Sequence, residues 1–208
     1  MEALRYHFSC VGQFWRERLR KTALVMVVVL LVSAFLGYFM CAANPEITNA
    51  VVEYFMQAML ESGVISETGT LSVVDLLLNN WMAILLCVVY GFLPFVFFPV
   101  IFLFSNAYMV GVMGAYYQIN GLPLSVFFAG ILPHGIFEFS ALTLAVSMGF
   151  TICLTLVKKI LRMTDTLPMK DLVSDVLRTL LMVVLPLLVC AAFIEVFLTP
   201  LVMNLFLP

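Results

Sequence analysis

ILPHGIFEFSALTLA, residues 131–145, holds the residue types most able to do chemistry in this chain. His134 and Glu138 stand four apart, and residues i and i+4 are neighbours on one helix face. From residue 76 to residue 157 these two are the sole imidazole and the sole carboxylate. Three readings compete. The pair is a structural pin, with His134 donating to Glu138 or to a freed backbone carbonyl. It is a site for a metal or a polar ligand, helped by Asn106 or Asn80. Or it serves proton or solute passage, with Glu195 as a second acid further along. Alone, His134 and Glu138 supply two ligands, short of the three or four a zinc site uses.

The surroundings sharpen the question, because they read as membrane. Of 208 residues, 64% are hydrophobic and 11% charged. Mean hydropathy is +1.14. A soluble domain of this length needs more polar surface than that. A charge at the bilayer centre costs about 2.5 to 3.5 kcal/mol on insertion scales. An uncharged polar group without a partner costs about 1 to 3 kcal/mol. His134, Glu138 and Asn106 are therefore expected within contact or one-water distance in the bundle interior, with Asn80 near. Pro133 and Gly135 read as helix breakers. They would place the pair at a helix start, where free N–H groups favour an ionised carboxylate.

Charge placement sets the topology. Arg5, Arg16, Arg18, Arg20 and Lys21 precede the first apolar run, and Lys158, Lys159, Arg162, Lys170 and Arg178 precede the last. Residues 44–75 carry Glu46, Glu53, Glu61, Glu67 and Asp75 instead. The positive-inside rule puts the N-terminus and a basic 158–178 loop in the cytoplasm, and the acidic 44–75 loop outside.

A crossing needs about 20 apolar residues. That gives an all-α, polytopic transmembrane helix bundle with five spans: 23–43, 76–93, 95–118, 135–157 and 179–199. The whole chain, 1–208, reads as one integral membrane domain with its C-terminus outside. Pro186 is expected to kink the last span. The turn near Pro94 has to be tight. Residues 124–132 fit either a half-helix dipping in from outside or the start of one long kinked helix. Residues 1–21 read as a cytoplasmic amphipathic segment able to lie on the inner membrane surface. The stretch is an uncleaved anchor rather than a signal peptide. Residues 46–62 read as an external amphipathic helix with Val51, Val52, Phe55, Met56, Met59 and Leu60 on one face. Gly111, Gly114 and Ala115 allow close helix packing.

Cys10, Cys41, Cys87, Cys153 and Cys190 are scattered, with no CxxC pair, and read as small packing residues. The sequence carries no phosphate-binding glycine loop, no GxSxG elbow and no HExxH helix.

One series of motifs resembles the stage II sporulation protein M family of integral membrane proteins. Asn79 and Asn80 open a span, Gly91 follows, then Asn106 with Gly111 and Gly114, then Leu132, Pro133, His134, Gly135 and Glu138 before the ALTLA run. Ser-Asn-Ala at 105–107 departs from the Asn-Gly expected there. The resemblance implies a non-enzymatic scaffold or anchor for a cell-envelope complex that remodels peptidoglycan, as in sporulation. Its implied partners are the stage II sporulation proteins D and P. Beyond these, the expected partners are the lipid bilayer, other membrane or cell-wall proteins and a second copy of the chain; no nucleic acid and no cofactor is expected. The competing functions are a small transporter or channel using His134, Glu138 and Glu195, and an intramembrane metal-binding protein.

Overall fold

The computed structural model describes residues 2–61, 72–163 and 168–207. Among these there is helix and no strand. In chain order the helices are α1 (Glu2–Phe14), α2 (Arg20–Ala42), α3 (Pro45–Glu61), α4 (Val73–Tyr90), α5 (Phe98–Ile119), α6 (Leu124–Ile160), α7 (Met169–Thr179), α8 (Leu185–Phe193) and α9 (Thr199–Asn204). Three five-residue π turns, Trp15–Leu19, Leu180–Val184 and Ile194–Leu198, join α1 to α2, α7 to α8 and α8 to α9. Five continuous helices are therefore long and apolar enough to cross a membrane: Leu4–Ala42, Val73–Tyr90, Phe98–Ile119, Leu124–Ile160 and Met169–Asn204. The architecture is an all-α transmembrane bundle, as the apolar run lengths predict.

In lipid the hydrophobic effect no longer drives helices together, so packing and polar contacts must do it. The core is arranged accordingly around α6, whose Ala141, Ala145, Met148, Ile152 and Cys153 are fully buried. Ile84, Val88, Leu172, Val176, Val184 and Leu188 close around it from α4, α7, the adjoining π turn and α8. Short hydroxyls satisfy themselves on their own helix. Ser33 donates to Val29 O, Ser147 to Thr143 O and Thr155 to Thr151 O, at 2.6, 2.6 and 2.7 Å. That disposes of a polar group without any partner helix.

Close backbone approach sets the other seam. A Cβ on Gly37 would run into the Tyr108 carbonyl, and one on Gly111 into the Ala34 carbonyl, so α2 and α5 touch backbone to backbone. Gly114 lies one turn on, facing the rings of Phe127 and Tyr38. Gly91 makes a similar contact with the backbone of Gly149. It anchors the turn between α4 and α5 on α6, where Cys153 Sγ also donates to Leu93 O at 3.4 Å. That turn covers residues 91–97, longer than the tight bend expected at Pro94. Phe95 and Phe97 take left-handed backbone conformations there, with φ of 68° and 49°. Bulky residues adopt such angles only when their surroundings hold them.

Three expectations need correction. Residues 124–132 are not a separate half-helix, since α6 runs unbroken through Pro133 and Gly135. Ending a helix strands several backbone groups, whereas an internal proline removes one donor. His134 and Glu138 thus lie mid-helix, without the free N–H groups of a helix start. The 158–178 loop is largely helical: α6 continues to Ile160, and α7 begins at Met169 with Leu172, Val176 and Thr179 buried at helical spacing. In the 44–75 segment, α3 is the helix that the amphipathic pattern of residues 46–62 predicts, and it buries Thr48 and Val52 while Met56 and Leu60 stay exposed; residues 62–71, with Glu67, lie outside the described residues. Residues 2–19 do not form a detached surface segment. They continue into the first long helix and bury Phe14 and Leu19 in the core.

Both basic clusters meet at one end of the bundle, where the Arg178 guanidinium sits 5.9 Å over the Tyr6 ring. At the other end, Asn120 donates to Asn49 at 3.1 Å, tying α3 to the end of α5.

Candidate functional site

The polar cluster forms where α6 meets the last long helix. His134 Nε2 lies 3.8 Å from Glu138 Oε2, one turn along α6. It lies 3.9 Å from Glu195 Oε2. Its other ring nitrogen, Nδ1, is 3.3 Å from Thr199 Oγ1. One ligand atom from each of His134, Glu138 and Glu195 falls within 4.8 Å of the others. Thr199 is buried, and the three ionisable side chains are 12%, 31% and 22% exposed.

Backbone irregularity aims the far half of this site. Glu195 sits inside the π turn Ile194–Leu198, where the Thr199 N–H bonds back to Ile194 O, five residues earlier. Pro200 follows at once. A proline lacks the N–H for a helical bond and its ring crowds the carbonyl four residues back. Widening the preceding turn by one residue relieves that crowding. The same pattern occurs at Leu180–Val184, where the Leu185 N–H bonds to Leu180 O and Pro186 follows. Single π turns inside α-helices are common at functional sites.

Depth follows from counting. Lys158 and Lys159 end α6 at the basic end of the bundle. About 20 residues cross the hydrocarbon, so the opposite boundary falls near Glu138. By that count the cluster lies at the boundary rather than at the bilayer centre.

Asn106 does not join it. It is exposed on α5 and donates to Phe102 O at 2.8 Å. Like the short hydroxyls, an asparagine can satisfy itself on its own helix, so burial cost does not force it inward. Asn80 is half-buried on α4 and has no hydrogen bond to the cluster among the described residues. Pro133 and Gly135 flank His134 without breaking the helix; Gly135 is buried against the Phe139 ring. Gly111 and Gly114 lie at the α2–α5 seam, remote in kind from the polar site. Thr199 escaped the sequence reading. Its signal was the Glu195–Thr199 spacing of four, just before Pro200.

A family model described as stage II sporulation protein M matches residues 25–200. The chain belongs to the stage II sporulation protein M family. The matched region takes in all five long helices, in part or whole, and every residue of the cluster. The chain is also similar to Uncharacterized protein MJ0793 of Methanocaldococcus jannaschii, at 32% identity over 124 residues, 60% of this chain and 69% of that protein. No solved structure matches the chain. Family membership agrees with the resemblance carried by Leu132 to Glu138, and it assigns no role to any side chain.

Chemically, the cluster offers one imidazole and two carboxylates with no Lys or Arg beside them. The chain has no Lys or Arg from residue 22 to 157 or after Arg178. Arg178 itself pairs with Asp175 at 2.9 Å. Two acids and an imidazole this close need a positive charge among them, either protons or a cation.

Proposed function

We propose that this member of the stage II sporulation protein M family is a non-enzymatic, multi-pass membrane anchor for a cell-envelope complex that remodels peptidoglycan. The observation that carries the reading is the backbone-to-backbone seam of α2 and α5 at Gly37 and Gly111. Such a seam fixes helix positions, which suits a frame on which partners assemble. A protein that alternates its access to the two sides needs helices that slide or rock. Partners of the kind implied by the resemblance, the stage II sporulation proteins D and P, would do the chemistry.

The orientation belongs to the same proposal: N-terminus in the cytoplasm and C-terminus outside, in the cell membrane. The Lys and Arg distribution supports it. Single cysteines at positions 53 and 170, in a background without native cysteines, should label from outside and from within, respectively. The reverse pattern would overturn the orientation.

The anchor is tested by crosslinking in native membranes, purification and identification of the captured proteins. A cell-wall hydrolase or its membrane partner, recovered with the full chain and lost when the bundle is disrupted, is the expected result. The competing reading is a small transporter or channel, favoured by the His134–Glu138–Glu195 cluster. Purified protein in sealed vesicles that moves protons or cations at a rate abolished by Glu138→Gln, with no envelope protein captured, would replace the anchor with that reading.

A further inference from the structure

We propose that His134, Glu138 and Glu195 bind one divalent transition-metal ion, which staples α6 to the last long helix. The sequence offers a His–Glu pair, two ligands where a zinc site needs at least three. The fold brings Glu195 to the same point and completes the minimum set.

Geometry supports an ion rather than a direct ion pair. His134 Nε2 stands 3.8 and 3.9 Å from the two carboxylates, too far for a hydrogen bond to either. An ion held about 2.1 Å from each ligand spaces tetrahedral ligand atoms roughly 3.4 Å apart. The observed separations, up to 4.8 Å, close to that spacing through small rotations of the two glutamate ends, whose last torsion is soft.

The surroundings match a metal site as well. Ligating histidines donate their second ring N–H to an oxygen that fixes tautomer and ring orientation. Thr199 Oγ1, 3.3 Å from Nδ1, is placed to accept that bond. Nε2 then carries a lone pair facing both carboxylates. No Lys or Arg pairs with Glu138 or Glu195 among the described residues. A divalent ion supplies the missing positive charge, and an imidazole with two carboxylates suits zinc and its first-row neighbours. A place near the membrane boundary gives the ion a way in. Three protein ligands leave a coordination position for water or for a donor from a partner.

The test uses the full chain, purified in detergent, stripped with chelator and titrated with Co²⁺ and then Zn²⁺. Cobalt reports directly, because its visible absorption depends on the ligand set. The expected result is one saturable equivalent, displaced by zinc, with affinity at least about tenfold weaker in Glu195→Gln and in His134→Ala. Thr199→Val should weaken binding by about tenfold as an outer partner of the histidine. His134→Cys guards against loss of fold: it should keep the ion and add a thiolate-to-cobalt band in the near ultraviolet. Folded protein with no saturable uptake at micromolar ion would overturn the proposal and leave protons as the compensating charge. Uptake undiminished in the His134→Ala, Glu195→Gln double variant would also overturn it. Neither outcome bears on the anchor, which is read from captured partners.

Discussion

Where α2 meets α5, side chains have been removed: Gly37 and Gly111 let the two backbones touch at Tyr108 and Ala34. Where α6 meets the last helix, side chains reach across, from His134 and Glu138 to Glu195 and Thr199. Both seams answer the same problem, because lipid is as apolar as leucine and does not squeeze helices together. The glycine seam gains dispersion over many atoms and tolerates no change of shape. The polar seam concentrates its contribution in a few groups that can change charge, rotate or take up an ion. The first rule fixes the shape of one seam, and the second gives the other groups that can respond to chemistry.

The most severe way to break this contrast is at the glycine seam. Gly111→Leu drives a side chain into the Ala34 carbonyl and the Tyr38 N–H, atoms that cannot rotate away. The loss should be about 3 kcal/mol or more, read as premature unfolding in a thermal or detergent titration. A bundle that accepts leucine there with unchanged stability would mean that α2 and α5 do not meet as described.

At the polar seam the same measurement should show a smaller and chemically selective effect. With chelator present, so that no ion contributes, Glu138→Leu removes a polar group beside His134 Nε2 and leaves Glu195, 3.9 Å away, as its remaining polar neighbour; the loss should be about 1 to 3 kcal/mol. Glu138→Gln keeps shape and hydrogen-bonding capacity, so the protein should insert and melt close to wild type. Equal losses from Leu and Gln would shift the weight from hydrogen bonding to charge.

The π turns Leu180–Val184 and Ile194–Leu198 allow a finer comparison, since each precedes a proline and only one carries a cluster residue. Pro200→Ala restores a helical donor and lets the turn Ile194–Leu198 tighten, which rotates Glu195 away from His134. Cobalt affinity should fall by about tenfold or more while the fold persists. Pro186→Ala relaxes Leu180–Val184, remote from the site, and should leave cobalt affinity unchanged. If the two variants behave alike, the π turn at Glu195 does not aim it.

How much of this was legible in the sequence divides along the same line. The five long helices followed from apolar run lengths, and the pairing of basic clusters at one end followed from where Lys and Arg stop. His134 and Glu138 were legible as neighbours because helical spacing is local. Glu195 was visible as a second intramembrane acid, but its arrival at His134, 61 positions earlier, depends on how two helices cross. No periodicity encodes that. The π turns were hidden for a related reason: Pro186 and Pro200 announce a disturbed turn, and the one-residue widening that resolves it is chosen by packing. The reading of Pro133 and Gly135 as breakers failed because an internal proline removes one backbone donor, whereas ending the helix there strands several carbonyls.

Asn106 gives the mildest test, and it separates two kinds of intramembrane polar residue. The sequence placed it with His134 and Glu138 on the argument that any polar group in lipid needs a partner from another helix. The structure has it exposed on α5, with its amide 2.8 Å from Phe102 O one turn back. A short side chain with an N–H can reach its own helix, whereas the carboxylates of Glu138 and Glu195 lack a donor for the backbone carbonyls there and must be met from across the seam. Asn106→Leu removes a bond that the Phe102 carbonyl does not depend on, since that oxygen already accepts from its own helix. Stability should change by no more than about 0.5 kcal/mol in either direction, and cobalt affinity should not move. A drop as large as that from Glu138→Leu would return Asn106 to the cluster and show that short polar side chains in this bundle also work across seams.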